Sequence, residues 1–323
     1  MHSVIRTSAL LSLALLANAC TDESTDPAAL EFRTTMGCTV CGLNSPSVND
    51  YPIPELHLDS VPNESGVRLI GILRPDNTPF ILGIVDDEFV AVDGNSNTIV
   101  AEGPQLVDWK LLIQLPDMSE QYIQITGIDQ GISSWALDGG PLTGYALAYE
   151  DPVSGEMYNV CPDVKSDPMD IAVTLIGGER YDREAKTVLP NQDLWFTIAC
   201  RDEAVYKMKL MNYGPNDGAE GGKGEPASVA QRQATIKMLT ADYCGNGTSY
   251  TEQGTPLYWL NQSGTVEAYS ADPTTPPIEA LWNEYGAICL STPRLVDRED
   301  VECNIPVCDS SVASTHEWTT WVP

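Results

Sequence analysis

Residues 240–256, TADYCGNGTSYTEQGTP, decide how the chain is read. Ile236, Lys237 and Met238 lead into them at helical spacing, and Asp242, Tyr243 and Cys244 stand where that helix stops. Gly245-Asn246-Gly247 reads as a tight turn, because glycine supplies positive φ at little steric cost. A second glycine turn, Gly254-Thr255-Pro256, opens the apolar run Leu257-Tyr258-Trp259-Leu260. A cysteine held between a helix end and a strand suits a disulfide anchor. Cys244 is therefore expected to be a half-cystine, Asp242 to cap the turn through backbone N–H groups, and Tyr243 to pack in the core with its hydroxyl satisfied.

Upstream of the turn, 227–243 is the long helix of the chain, with Ala230, Ala234, Met238 and Ala241 on one stripe and Pro226 near its first turn. A shorter helix is expected over 204–211. Before that, the pattern is one of β-type runs punctuated by turn residues: 67–73, 80–85, 89–92, 98–101, 109–115, 121–128, 145–149, 157–161, 171–176 and 194–200. Most alternate apolar with polar, as half-buried antiparallel strands do. Downstream, 279–285 suggests one more helical turn, and 273–277 a stiff proline connector. The fold class is mainly β, with antiparallel sheets in a sandwich- or barrel-like arrangement and one or two short helices.

Charge narrows the partners. The 323 residues carry 17 Lys+Arg against 46 Asp+Glu, a formal net charge of −29. Such a chain repels nucleic-acid phosphates and anionic headgroups, so neither is expected as a ligand. The N-terminus reads as a leader, 1–19, with Arg6 ahead of a short apolar segment. Ala17-Asn18-Ala19-Cys20 resembles a bacterial lipobox. Cys20 is then the lipidated mature N-terminus, and Thr21 after it points to the outer membrane, on its periplasmic or surface face. A plain secretory signal cut after Ala19 is the alternative. Residues 20–35 read as a flexible tether. Without Cys20, eight cysteines remain, an even number that in an exported chain reads as a disulfide set: Cys38, Cys41, Cys161, Cys200, Cys244, Cys289, Cys303 and Cys308.

Ala241-Asp242-Tyr243-Cys244, taken with an ordered series around it, resembles the ADYC domain family of exported bacterial proteins. The series runs through Phe196-Thr197-Ile198-Ala199-Cys200, Ala204, Lys207, Tyr213-Gly214-Pro215 and Gln233-Ala234. It continues after the tetrapeptide with Gly245, Gly247, Thr251, Gly254-Thr255-Pro256, Trp282, Gly286-Ala287, Cys289-Leu290, Cys303 and Cys308. The similarity covers about 105–310, which leaves an N-terminal β module at 36–104 and a loose tail at 311–323. It implies export and a disulfide-stapled fold, and no reaction. Where the family carries two further cysteines, this chain has Met208 and Thr235, so the two positions are expected side by side, with the short helix packed on the long one. The expected pairings are Cys38–Cys41, Cys161–Cys200, Cys244–Cys289 and Cys303–Cys308.

Candidate chemistry is sparse. Cys38-x-x-Cys41 sits in a glycine loop rather than at a helix start, which favours a structural disulfide over a redox pair. Zinc held by Cys38, Cys41, Cys303 and Cys308 competes poorly with disulfides in an oxidising compartment. Cys244 as a nucleophile lacks a local base, since outside the leader the histidines are His57 and His316. Calcium is the least unreasonable cofactor; its weak candidates are Asp93, Asn95 and Asn97, although their loop reads first as a hairpin turn. Runs 86–88 and 163–170 are equally loose oxygen-rich stretches. Tyr258, Trp259, Tyr269 and Trp282 offer aromatic area for a sugar platform or for a core. The expected role is binding or structural interaction at the envelope, with a protein or glycan ligand. The alternative is an acid-based hydrolase, on glycans for instance, whose site is dispersed in sequence.

Overall fold

The alternation that marks strands in the sequence also fixes which face each one buries. The computed structural model describes residues 45–217, 226–252, 254–266, 278–309 and 315–322. The expected leader and tether, Cys20, Cys38, Cys41, Tyr269, the 273–277 connector and most of the 216–224 loop lie outside these residues.

A small ribbon of β1 (Ser47–Val48) and β2 (Tyr51–Pro52) precedes β3 (Glu55–His57). There follow β4 (Arg68–Leu73), β5 (Pro79–Val85), β6 (Glu88–Asp93), β7 (Thr98–Glu102), β8 (Lys110–Gln114) and β9 (Glu120–Ile132). Then come β10 (Leu142–Glu150), β11 (Met157–Asn159), β12 (Val173–Gly177), a hairpin of β13 (Arg180–Asp182) with β14 (Thr187–Leu189), and β15 (Trp195–Cys200). One 11-stranded sheet runs β3-β15-β12-β10-β9-β8-β4-β5-β6-β7, with β11 added on β10, and all its ladders are antiparallel. β4 pairs with β8 and β3 with β15, so the sheet passes straight through the boundary expected at 104/105.

Bulges in β4, β7 and β9 let the sheet bend until its two limbs face each other. Phe89 on β6 meets Tyr145 of β10 and Phe196 of β15, with ring centroids 4.9 and 5.8 Å away, and its N–H donates to the Tyr145 hydroxyl. Leu69, Ile72, Leu111, Ile113, Ile123, Ile125 and Leu175 fill the space between the limbs. The result is sandwich-like; β3 and β7 remain edges, so no closed barrel forms.

The opposite face of β10, β12 and β15 presents Leu142, Ile176 and Ala199 to a second core. α1 (Ala204–Leu210) and α2 (Val229–Leu239) cover it. A four-stranded sheet of β16 (Tyr258–Asn261), β17 (Ile278–Asn283), β18 (Gly286–Leu290) and β19 (Trp318–Trp321), in the order β16-β19-β17-β18, closes α2 from the other side. Sandwiched in this way, α2 buries Arg232 and Lys237 as well as Ala234, Ile236 and Met238. It is shorter than the expected 227–243. Ser228 caps it in a reciprocal box with Gln231, which leaves Pro226 and Ala227 outside the helix. α1 packs on α2, as the paired loss of cysteines implies, and both Met208 and Thr235 are fully buried. The Thr235 hydroxyl accepts the indole N–H of Trp318.

Two expectations need correction. Residues 279–285 are not a helical turn but β17 and its hairpin to β18. Glu279, Ala280 and Leu281 are good helix formers, yet the segment is buried between α2 and β19, and pairing there outweighs propensity. The 311–323 tail is not loose at its end: Trp318-Thr319-Thr320-Trp321 forms β19, an inner strand whose Trp318 is fully buried. Aromatic and β-branched residues in alternation are what such a strand requires.

Candidate functional site

The ADYC tetrapeptide lies where α2, the 245–247 turn and the β17–β18 hairpin meet. Ala241 adopts φ 50° just past the helix end, and the Asp242 and Ala241 N–H groups bond back to the Lys237 and Met238 carbonyls. This is a Schellman ending with alanine where glycine is usual. The Asp242 carboxylate, fully buried, accepts the N–H groups of Asn246 and Gly247 at 3.1 and 2.9 Å. It also pairs at 2.6 Å with the Lys237 ammonium, which two backbone carbonyls, of Ala185 and Gly245, hold as well. Tyr243 stacks on Trp282 at 5.2 Å. Its hydroxyl donates to Glu279 Oε1 at 2.6 Å and accepts the Arg294 N–H at 3.0 Å. Burial, then the Glu279 charge, pushes the Tyr243 phenol well above its ordinary range. The Arg294 guanidinium bonds the same Glu279 oxygen and the Met238 carbonyl, which ties the hairpin to the end of α2. Glu279 Oε2 is buried and has no hydrogen-bond partner among the described residues.

Cys244 is joined to Cys303, not to Cys289, and Cys289 is joined to Cys308; Cys161–Cys200 pairs as expected. The reason lies in the 303–308 segment, which forms neither helix nor turn after Cys303. It carries Cys303 to the ADYC turn and Cys308 alongside β18, where the Leu290 N–H bonds the Pro306 carbonyl. The two sulfurs are thus held at different elements, Cys303 at the ADYC turn and Cys308 at β18. Replacing both Cys289 and Cys308 by serine is expected to lower stability by about 3 kcal/mol, the entropy of a 19-residue closure; denaturant unfolding checks it.

With Cys244, Cys303 and Cys308 all in disulfides, these sulfurs provide neither a nucleophile nor zinc thiolates. His57 packs edge-on to Trp195 and accepts the Asp59 N–H; His316 lies against Thr319. In the calcium candidate, Asp93 Oδ1 accepts the N–H groups of Asn95 and Ser96, and Asn97 takes the left-handed position of the β6–β7 turn. Asp86 and Asp87 both have positive φ, making the β5–β6 link a two-residue hairpin turn. Trp259 stacks on Trp135 at 5.4 Å, and Trp282 is fully buried, so neither is an open platform. Among the described residues no group of three or more His, Cys, Asp or Glu is placed to hold a metal ion.

Further buried charge networks escaped sequence reading. Glu179 receives three hydrogen bonds from Arg232 and one from Tyr181. Glu55 binds Arg180 and Arg183, and Glu203 binds Arg183. Lys209 of α1 lies between Asp87 and Asp217. No local signal marked them: Glu179–Arg232, Asp87–Lys209 and Glu55–Arg180 stand 53, 122 and 125 residues apart. Glu317 is half-buried beside Tyr213 and Gln231, and burial raises its carboxyl above the ordinary range against those hydrogen bonds and His316. The folded protein therefore holds this proton more tightly than the unfolded chain. The penalty is absent below the ordinary glutamate range and grows as pH rises through it to the elevated folded value. Glu317→Gln is expected to raise the melting temperature at neutral pH and to flatten its decline above about pH 4.3.

A hollow of about 350 Å³ lies beside Cys303, lined by Arg298, Glu299, Glu302 and Asn304. Arg298 is spent on the Leu290 and Ile305 carbonyls. A second, of about 320 Å³, lies beside Cys161–Cys200 with Asp163, Arg201 and Asp202.

The family model of the ADYC domain matches residues 103–296, more than half of the chain. The chain belongs to the ADYC domain family. Neither the curated proteins nor the solved structures contain a match. The matched span of this ADYC protein begins at the turn before β8 and ends after Arg294, so it holds most of the second core, without Val301, Ile305 and Trp318, and the tetrapeptide with its Tyr243, Glu279 and Arg294 contacts.

Proposed function

We propose that this ADYC protein is an exported, disulfide-stapled binding scaffold, anchored to the bacterial envelope through a lipid on Cys20. One observation carries the binding role. The outer face of β9, β8 and β4 bears Tyr122 beside Leu112 beside Gly71, and that of β5, β6 and β7 bears Ile81 beside Val92 beside Ile99. Pairing of Ile72 with Phe80 sets the two rows end to end. Tyr122, Ile81 and Ile99 are 44%, 51% and 47% exposed, a run of large apolar side chains that soluble surfaces rarely leave open. An exposed, apolar, partly aromatic sheet face suits a protein or glycan surface better than a small substrate. The hydrolase alternative gains no support: the most buried carboxylates, Asp242, Glu279 and Glu179, each face a cation.

A photo-crosslinking phenylalanine derivative placed at Ile81 or Tyr122 in the native envelope tests the reading. Discrete adducts are expected from both, and none from Val153, which is 94% exposed on the β10–β11 turn. No adducts at 81 and 122, or the same adducts from all three sites, would contradict it. Cys20→Ser is expected to move the protein from the membrane to the soluble fraction.

A further inference from the structure

Lys209 is the one lysine among the described residues with two carboxylates at its ammonium. It projects from α1 between Asp87, in the β5–β6 turn, and Asp217. All three side chains are nearly dry: 6%, 4% and 5% exposed. Both carboxylates lie within hydrogen-bond contact of Nζ. Nucleophile, acyl group and proton acceptor thus share one water-free contact, an arrangement that replaces a bimolecular encounter by a fixed one.

We propose that Lys209 and Asp217 condense to an intramolecular isopeptide bond, with Asp87 as the proton acceptor. The two aspartates divide these roles by their surroundings. Asp87 Oδ1 accepts the Gly177 N–H and an Asn216 amide N–H, both at 2.7 Å, which fix its carboxylate beside the Lys209 ammonium as an acceptor. Among the described residues, Asp217 accepts the Gly214 N–H besides Lys209. Burial raises its carboxyl, and the Asp87 charge adds to the rise. Two carboxylates and one ammonium leave a surplus negative charge. In the proposed reaction the proton that offsets this surplus sits on Asp217, the carboxyl that burial raises. Burial pulls the Lys209 ammonium down, but the two carboxylates more than offset this and hold it up. The amine must therefore lose a proton to Asp87 as it reacts.

The step balances. Nζ of the lysine ammonium gives one proton to the Asp87 carboxylate and attacks Cγ of the Asp217 carboxylic acid, forming the C–N bond. The C–OH bond breaks, and the hydroxyl leaves with a second Nζ hydrogen as water. The products are a neutral amide, one water and a neutral Asp87 carboxyl, with no oxidant, reductant or activated group consumed. Lys237 lacks the parts for this: its single carboxylate, Asp242, already accepts two backbone N–H groups, and its other partners are carbonyls.

The test is peptide mapping of the full chain. Trypsin should cut after Lys207 and Lys223 but not after Lys209, and release residues 208–223 as one cyclic peptide lighter by one water, about 18 Da. A succinimide at Asp217-Gly218 would give the same deficit, yet it would leave cleavage after Lys209 intact and persist in Lys209→Arg. The account expects that variant, and Asp87→Asn, to restore the full mass. Wild-type protein that is cut after Lys209 with no cross-linked product would overturn the proposal, and so would a deficit that survives in Lys209→Arg.

Discussion

Gly245→Ala is expected to cost on the order of 4 kcal/mol, enough to unfold a domain of ordinary stability. Gly245 sits at φ 68°, and a Cβ built there would lie 1.9 Å from the Tyr285 carbonyl oxygen. The obstacle is the backbone of the β17–β18 hairpin. It cannot rotate aside as a side chain would, because Ala287 N–H is bonded to the Tyr243 carbonyl at 2.9 Å. Gly286, at φ 124°, closes the same contact from the other side, with its own Cβ position 2.7 Å from the Tyr243 carbonyl oxygen. Gly254→Ala is the matched control. Its φ of 84° is also left-handed, but none of the described residues comes within 4 Å of a Cβ there, so only a conformational penalty of roughly 1–2 kcal/mol applies. Denaturant unfolding of the two variants separates close approach from backbone strain; equal losses would mean that the hairpin yields.

Asp242→Asn is expected to cost about 3–5 kcal/mol, the penalty for stranding a buried charge. Asparagine keeps a carbonyl oxygen for the Asn246 and Gly247 N–H groups, so the turn retains a cap. What it removes is the charge opposite Lys237, which is 2% exposed and would be left with carbonyls alone. Lys237→Met in the same chain should recover most of the loss, because a neutral pair of similar volume no longer needs the counter-charge. Additive losses in the double variant would show that Asp242 acts through the turn and not through Lys237.

These two residues also mark how far the sequence could be read. The strands were legible because alternation is a local property: the expected run 80–85 became β5 at Pro79–Val85, and 98–101 became β7 at Thr98–Glu102. The helix end and glycine turn around Cys244 were legible for the same reason. Residues 279–285 misled because their local preference is helical while their burial belongs to α2 and β19, more than 30 residues away in either direction. Cys303 and Cys308 misled because short spacing suggests a pair, whereas their partners, Cys244 and Cys289, lie on different elements. The buried ion pairs were invisible: nothing near Asp87 in sequence points to Lys209, 122 residues on. β19 was missed because a four-residue strand next to the chain end resembles a tail until its neighbours are known.

The central claim is that the ADYC turn is a structural junction whose cysteine is consumed in holding it. A disulfide map of the full chain, taken without reduction and with free thiols alkylated first, tests this directly. The account predicts linked peptides for Cys244–Cys303, Cys289–Cys308 and Cys161–Cys200 and no alkylated Cys244. An alkylated Cys244 in folded protein would contradict it and reopen thiol chemistry at the tetrapeptide.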